Sequence, residues 1–182
     1  MLKVLYLGPK GSGKTSNLKS LLALAGDTTK QSGASFFSQR KLPFFEFLPL
    51  SVGSLKQYKV KLHLFSFSLD SPFESLRKVV FTGVDGFVFV ADSRVIAMGD
   101  NIENLSSLHS IFKEEGYVVS EVPQIVQFNK RDEKDIAPVN VLSQELNPFR
   151  MPEKEAVATL SRGTAETLSL LTKQILNKLA DS

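Results

Sequence analysis

The chain is expected to fold as a doubly wound α/β sheet of six strands, mostly parallel, with helices on both faces. Three observations predict this. Short apolar runs of strand length recur along the chain, and most are followed by a stretch with helical spacing. A glycine-rich loop joins the first such run to the first helical stretch. Two longer apolar segments lie around a single glycine, which reads as a hairpin and supplies one antiparallel strand.

The elements follow in order. Val4 to Leu7 reads as a buried strand. Leu18, Leu21, Leu22 and Ala25 recur at helical spacing and predict a helix over Lys14–Ala25. From Gly26 to Lys41 the chain is polar without a clear period, which marks a long, functional loop. Phe44–Leu50 and Tyr58–Ser66 form the expected hairpin, with Gly53 in the turn. A helix is expected near Phe73–Phe81, a buried strand over Phe87–Ala91 and a helix over Asn101–Glu115. Gln124–Phe128 reads as a further strand, with a short helix after Pro138. Glu155–Thr159 is expected to be the last strand, and Leu168, Leu171, Ile175 and Leu179 the buried face of the last helix.

The 182 residues fit one domain, 1–182, large enough to bury its own core. A 42% hydrophobic and 23% charged composition argues against disorder. The net charge of +3 comes from scattered lysines and arginines, so no nucleic-acid footprint is expected. Cysteine is absent, which removes disulfides, thiolate metal sites and cysteine nucleophiles. No apolar run approaches the length of a spanning helix, and no lipidation motif is present. A cytoplasmic protein without membrane insertion is the expectation.

GPKGSGKT, from Gly8 to Thr15, fits the phosphate-loop pattern between a predicted strand and a predicted helix. Glycines let the backbone wrap oxygens closely, and the helix that follows adds its positive end. Gly8, Lys10, Gly11, Ser12, Gly13, Lys14, Thr15 and Ser16 form the expected phosphate site. Lys14 is expected to reach the β- and γ-phosphates. The Thr15 hydroxyl is expected to ligate Mg²⁺.

FNKRD closes the predicted strand about 115 residues downstream. Asn129 and Lys130 are expected to flank a base, and Asp132 to accept from N1–H and the exocyclic amino group of guanine. Adenine would leave that carboxylate unpaired, so discrimination should be strong. In such a fold a small residue in the stretch Glu155–Thr159 lends a backbone N–H to guanine O6, which points to Ala158. The expected cofactors are GTP or GDP with Mg²⁺. A small-molecule kinase of similar length would need no guanine reader.

These motifs resemble the Ras superfamily. FFEFLPL (Phe44–Leu50), GVDGFVFVADS (Gly83–Ser93), QFNKRD (Gln127–Asp132) and EAVAT (Glu155–Thr159) resemble the MglA-type bacterial small GTPases most closely. The resemblance spans nearly the whole chain. It implies a Ras-like fold and a switch that relays GTP or GDP state to protein partners in cell polarity or motility. It also implies a Roadblock-type, MglB-like regulator, effector proteins at a cell pole, and concentration of the protein there.

The chain departs from that family at four places, all at the γ-phosphate end. Ser68-Leu69-Asp70 stands where the family has Pro-Gly-Gln. The family glycine donates its N–H to the γ-phosphate, and the Cβ of Leu69 restricts such an approach. The family glutamine orients the attacking water. Asp70 is shorter and, ionised, repels the phosphate. Leu42 replaces the Mg²⁺-ligating threonine, and Lys41 an arginine. With a one-residue slip Arg40 takes that arginine's place, and Ser38 or Ser35 can replace the hydroxyl. Lys10 occupies a position that is usually glycine. Asp70, Lys41, Arg40 and Lys10 are therefore the catalytic candidates. Slow intrinsic hydrolysis is expected, because losing single stabilisers of this reaction costs on the order of 10³–10⁵ in rate. The alternative is a non-hydrolysing scaffold that holds GTP or GDP for polar protein assembly.

His63 and His109 are expected to be packing residues. Asp85 is expected to serve a turn, and Asp92 to have a structural role near the nucleotide crevice. Phe36, Phe37, Phe44, Phe45 and Phe47 read as core packing, with a switch-dependent partner surface as the other reading.

Overall fold

A computed structural model describes residues 1–25, 45–55, 58–69 and 74–181. Among them six strands form one sheet in the order β2-β3-β1-β4-β5-β6. They are β1 (Leu2–Leu7), β2 (Phe45–Leu55), β3 (Tyr58–Phe67), β4 (Gly86–Asp92), β5 (Gln124–Asn129) and β6 (Glu153–Glu155). Only the β2–β3 pair is antiparallel, so the C-terminal ends of β1, β4, β5 and β6 point the same way. The helices are α1 (Lys14–Ala25), α2 (Glu74–Phe81), α3 (Met98–Glu114), α4 (Val139–Leu146) and α5 (Thr164–Ala180).

Period-two alternation divides the core between the two faces of the sheet. Leu5, Leu7, Phe87 and Phe89 pack with Phe81 of α2, Leu108 and Phe112 of α3 and Leu142 of α4. Val4, Tyr6, Val88 and Val90 pack on the other face with Leu18 of α1 and Leu168, Leu171 and Ile175 of α5. On the first face Phe112 meets the rings of Phe81 at 5.1 Å and Phe87 at 4.8 Å. Among the described residues no helix is long and apolar enough to cross a membrane.

Four expectations need correction. The last strand is Glu153–Glu155 rather than Glu155–Thr159. The Ala156 N–H still donates to the Phe128 carbonyl at 2.8 Å, but the Ala158 N–H turns to the Asn129 side chain. The chain then closes into a 3-10 turn over Ala158–Leu160. Gly53 lies inside β2, at the shift of register between Ser51 and Ser54. Glycine here marks an irregular pairing rather than a turn. Leu179 in the last turn of α5 is 53% exposed rather than packed with Leu168, Leu171 and Ile175. The helix after β4 also starts earlier than predicted, at Met98, behind a 3-10 turn over Val95–Ala97.

Candidate functional site

The loop after β1 is shaped by its glycines. Gly8 has φ +137° and Gly13 φ +103°, both in the region closed to most side chains. A Cβ on Gly8 would overlap the Val90 carbonyl oxygen. A Cβ on Gly13 would overlap the Asn129 side-chain nitrogen. The loop closes around Lys14, whose ammonium donates to the carbonyls of Gly8 at 2.8 Å and Pro9 at 2.7 Å. Lys14 and Ser12 are buried, Thr15 and Ser16 are half-buried in the first turn of α1, and Lys10 and Gly11 are exposed at the loop tip.

Asn129 ties this loop to the base-side loops. Its Nδ2 donates to the Ser12 carbonyl at 2.8 Å, and its Oδ1 accepts from the Ala158 N–H at 3.0 Å. Both ends of one buried amide thus join the segments after β1, β5 and β6. Lys130 follows with φ +64°. Arg131 holds the loop from outside, with Nε donating to Glu155 Oε2 at 2.8 Å and Nη1 to the Ala137 carbonyl at 2.9 Å. Asp132 is exposed beyond it.

Asp92 ends β4 beside this loop and is buried. Its carboxylate accepts from Arg94 Nη2 at 2.7 Å and from Lys130 Nζ at 2.7 Å. Burial pushes its pKa up, but the hydrogen bonds from Arg94 and Lys130 outweigh that and hold it below the ordinary value. Asn101 of α3 clamps the Asp92 backbone on both sides, accepting its N–H at 3.0 Å and donating to its carbonyl at 2.8 Å. The structural role expected of Asp92 is met by these contacts. Asp85 accepts the Lys3 N–H at 2.6 Å and so holds the turn before β4 against β1.

A polar network that the sequence did not announce lies beneath the loop. Asn17 Nδ2 donates to Gln127 Oε1 at 2.8 Å, and Gln127 Nε2 donates to Asn17 Oδ1 and Thr167 Oγ1, both at 3.0 Å. Asn17 Nδ2 also donates to the Gly13 carbonyl at 3.0 Å, and Thr167 Oγ1 to the Gly163 carbonyl at 2.6 Å. The available signal was a second glutamine, Gln127, among the apolar residues Ile125, Val126 and Phe128 of β5.

The site thus brings together Gly8, Ser12, Gly13, Lys14, Asn129, Lys130 and Ala158. Asp70, Lys41, Arg40, Leu42, Ser38 and Ser35 lie outside the described residues, as do Phe36, Phe37 and Phe44. Leu69 is half-buried and packs against the core that contains Phe67 and Phe81. His63 and His109 are packing residues: their rings lie 5.0 Å from Phe47 and 5.1 Å from Phe149. A fit to phosphate is supported by Ser12, whose hydroxyl is buried with no hydrogen-bond partner among the described residues. In a glycine loop wrapped around an ammonium, an unpartnered buried hydroxyl is a donor whose chemistry suits an anion.

No protein-family model matches the chain. The chain is similar to mutual gliding-motility protein MglA of Myxococcus xanthus (strain DK1622). The two are 35% identical over 178 residues, which cover 97% of this chain and 91% of that protein.

Proposed function

The chain belongs to the MglA family of Ras-like small GTPases, and on that premise we propose that it is a guanine-nucleotide switch with slow intrinsic hydrolysis. The observation that carries this reading is the Asn129 bridge. One side chain holds the phosphate loop at 2.8 Å and the Ala158 N–H at 3.0 Å, so the two ends of a nucleotide site are built as one unit.

The residues then take the following roles. Gly8, Lys10, Gly11, Ser12, Gly13, Lys14, Thr15 and Ser16 bind the phosphates, with Lys14 neutralising their charge. Thr15 holds Mg²⁺, which when bound would screen the phosphate oxygens. Asn129 and Lys130 flank the base, Asp132 accepts its two donors, and Ala158 gives a backbone N–H to O6. Slow hydrolysis is supported by the four sequence departures and by Leu69. A half-buried leucine packed against the core stands at a position where the family has a glycine to meet the γ-phosphate. Asp70, Lys41, Arg40 and Lys10 remain the candidates for any residual catalysis. The same Leu69 contact favours a second reading, a scaffold that holds GTP without hydrolysing it.

The relative's name concerns gliding motility, and we assign this chain to the same class of process. Its proposed partners are a Roadblock-type regulator and effectors concentrated at a cell pole.

Two measurements test the proposal. Asp132→Asn should weaken GDP binding by about a hundredfold or more, since two hydrogen bonds to a charged acceptor are lost. Unchanged affinity would remove the guanine assignment. Protein loaded with GTP and Mg²⁺ should then be followed for hours in a single turnover. Slow GDP formation that is lost on changing Asp70 or Lys41 supports the switch. GTP that stays intact supports the scaffold.

A further inference from the structure

We propose that Asp92 is a positioning residue for the guanine reader, holding Lys130 so that its hydrocarbon stem lies along one face of the base. The inference rests on the guanine-nucleotide reading above and deepens it. The β4–β5 register places Asp92 opposite Asn129, so Lys130 leaves the sheet one residue beyond that pair. Its left-handed backbone, φ +64°, is one that few non-glycine residues adopt. Its ammonium reaches Asp92 Oδ2 at 2.7 Å, which stretches the stem from the end of β5 across to the end of β4.

The anchor itself is fixed. Asp92 is 3% exposed. Arg94 Nε donates to its two oxygens at 3.1 and 3.2 Å, Arg94 Nη2 at 2.7 Å and the Arg94 N–H at 3.1 Å. Asn101 clamps its backbone from α3. The Arg94 fork already neutralises the carboxylate, so charge balance alone gives no reason to recruit a second cation from the base loop. What the second contact does is remove rotamer freedom from a long side chain before a ligand arrives. Preorganisation of this kind strengthens binding without adding a contact to the ligand.

The test follows release of a fluorescent GDP analogue from the full chain, with competition by tripolyphosphate to read the phosphate end separately. The variants are Asp92→Asn, Lys130→Met and the double variant. Lys130→Met keeps an unbranched apolar stem but has no ammonium. Each single variant should speed GDP release about tenfold while tripolyphosphate affinity stays within about twofold. The double variant should be no faster than either single one, because both remove the same interaction.

Unchanged GDP release overturns the inference, as does an equal loss of tripolyphosphate affinity, which would mark a merely structural role. Effects that multiply in the double variant overturn it too. If Asp92→Asn does not fold, Lys130→Met on its half-exposed residue decides alone. A wild-type chain that retains no GDP would sink the guanine reading itself, which separates the two failures.

Discussion

A single asparagine and a single aspartate set the geometry of the site. Asn129 uses both ends of its amide, and it lies so close to Gly13 that any side chain there would displace it. Glycine at that position is thus fixed by a contact more than a hundred residues away in sequence, as well as by its φ of +103°. Asp92 is a buried carboxylate shared by two cations, which gives it a definite pH signature. Burial raises its pKa, the hydrogen bonds from Arg94 and Lys130 lower it, and the net position is below the ordinary value of 3.8. A carboxylate depressed on folding stabilises the folded state fully above its unfolded pKa. That stability is lost as pH falls through the folded value. Urea unfolding of wild type and Asp92→Asn should therefore differ at pH about 7, and the difference should shrink as pH falls through the folded value, where the aspartate takes up a proton and resembles asparagine. A difference that stays constant with pH would mean that the carboxylate is not held in its charged form.

Elements meet at the site through buried polar groups as well as apolar packing. Asn17 of α1, Gln127 of β5 and Thr167 of α5 form one network, and its ends hold the carbonyls of Gly13 and Gly163. Gln127→Leu should cost about 1–3 kcal/mol in denaturant unfolding, because it leaves the buried Asn17 Oδ1 without its donor and removes one of the two hydrogen bonds of Thr167 Oγ1. The triple variant Asn17→Leu, Gln127→Val, Thr167→Val removes all the partners together. It should return to within about 1 kcal/mol of wild type. A triple variant no more stable than the single one would show that the site cannot repack around apolar groups. This network also marks the limit of what the sequence disclosed. The apolar runs placed five strands, and the helical spacing placed α1 to the residue, because burial alone sets those patterns. Gln127 read only as part of a buried strand, since its partner Asn17 is 110 residues away. EAVAT read as strand because its residues are small, apolar or β-branched, yet Asn129 draws the Ala158 N–H out of the sheet. The tight turn after β1 was legible because its cause is local: glycines that take up positive φ and let the backbone close around Lys14. The bonding of Asp92 was not, because it depends on Arg94, Lys130 and Asn101 arriving from three segments.

At the scale of the whole molecule, parallel strand order places the loops after β1, β5 and β6 at one edge of the sheet, as in other doubly wound folds. The two halves of the core lie on opposite faces, and the strands β1, β4 and β5 belong to both. A nucleotide held by these loops would cross-link β1, α1, β5 and the segment after β6, none of which is assembled in the unfolded chain. Binding should therefore appear as global stability rather than as local ordering alone. At a GDP concentration of about 100 times Kd, mass action adds about 2.7 kcal/mol. For a domain of this size that raises the thermal midpoint by about 5–10 °C. The midpoint should keep rising with the logarithm of GDP concentration when Mg²⁺ is present, and EDTA should reduce the shift by removing the ion that screens the phosphates. ATP with Mg²⁺ at the same concentration should leave the midpoint unchanged, because adenine cannot satisfy the Asp132 carboxylate. Equal shifts with ATP and GDP would keep the phosphate loop as an anion site but remove the base reader. No shift with either would mean that the loops joined by Asn129 do not bind nucleotide, and the glycines of the phosphate loop would then need a purely structural explanation.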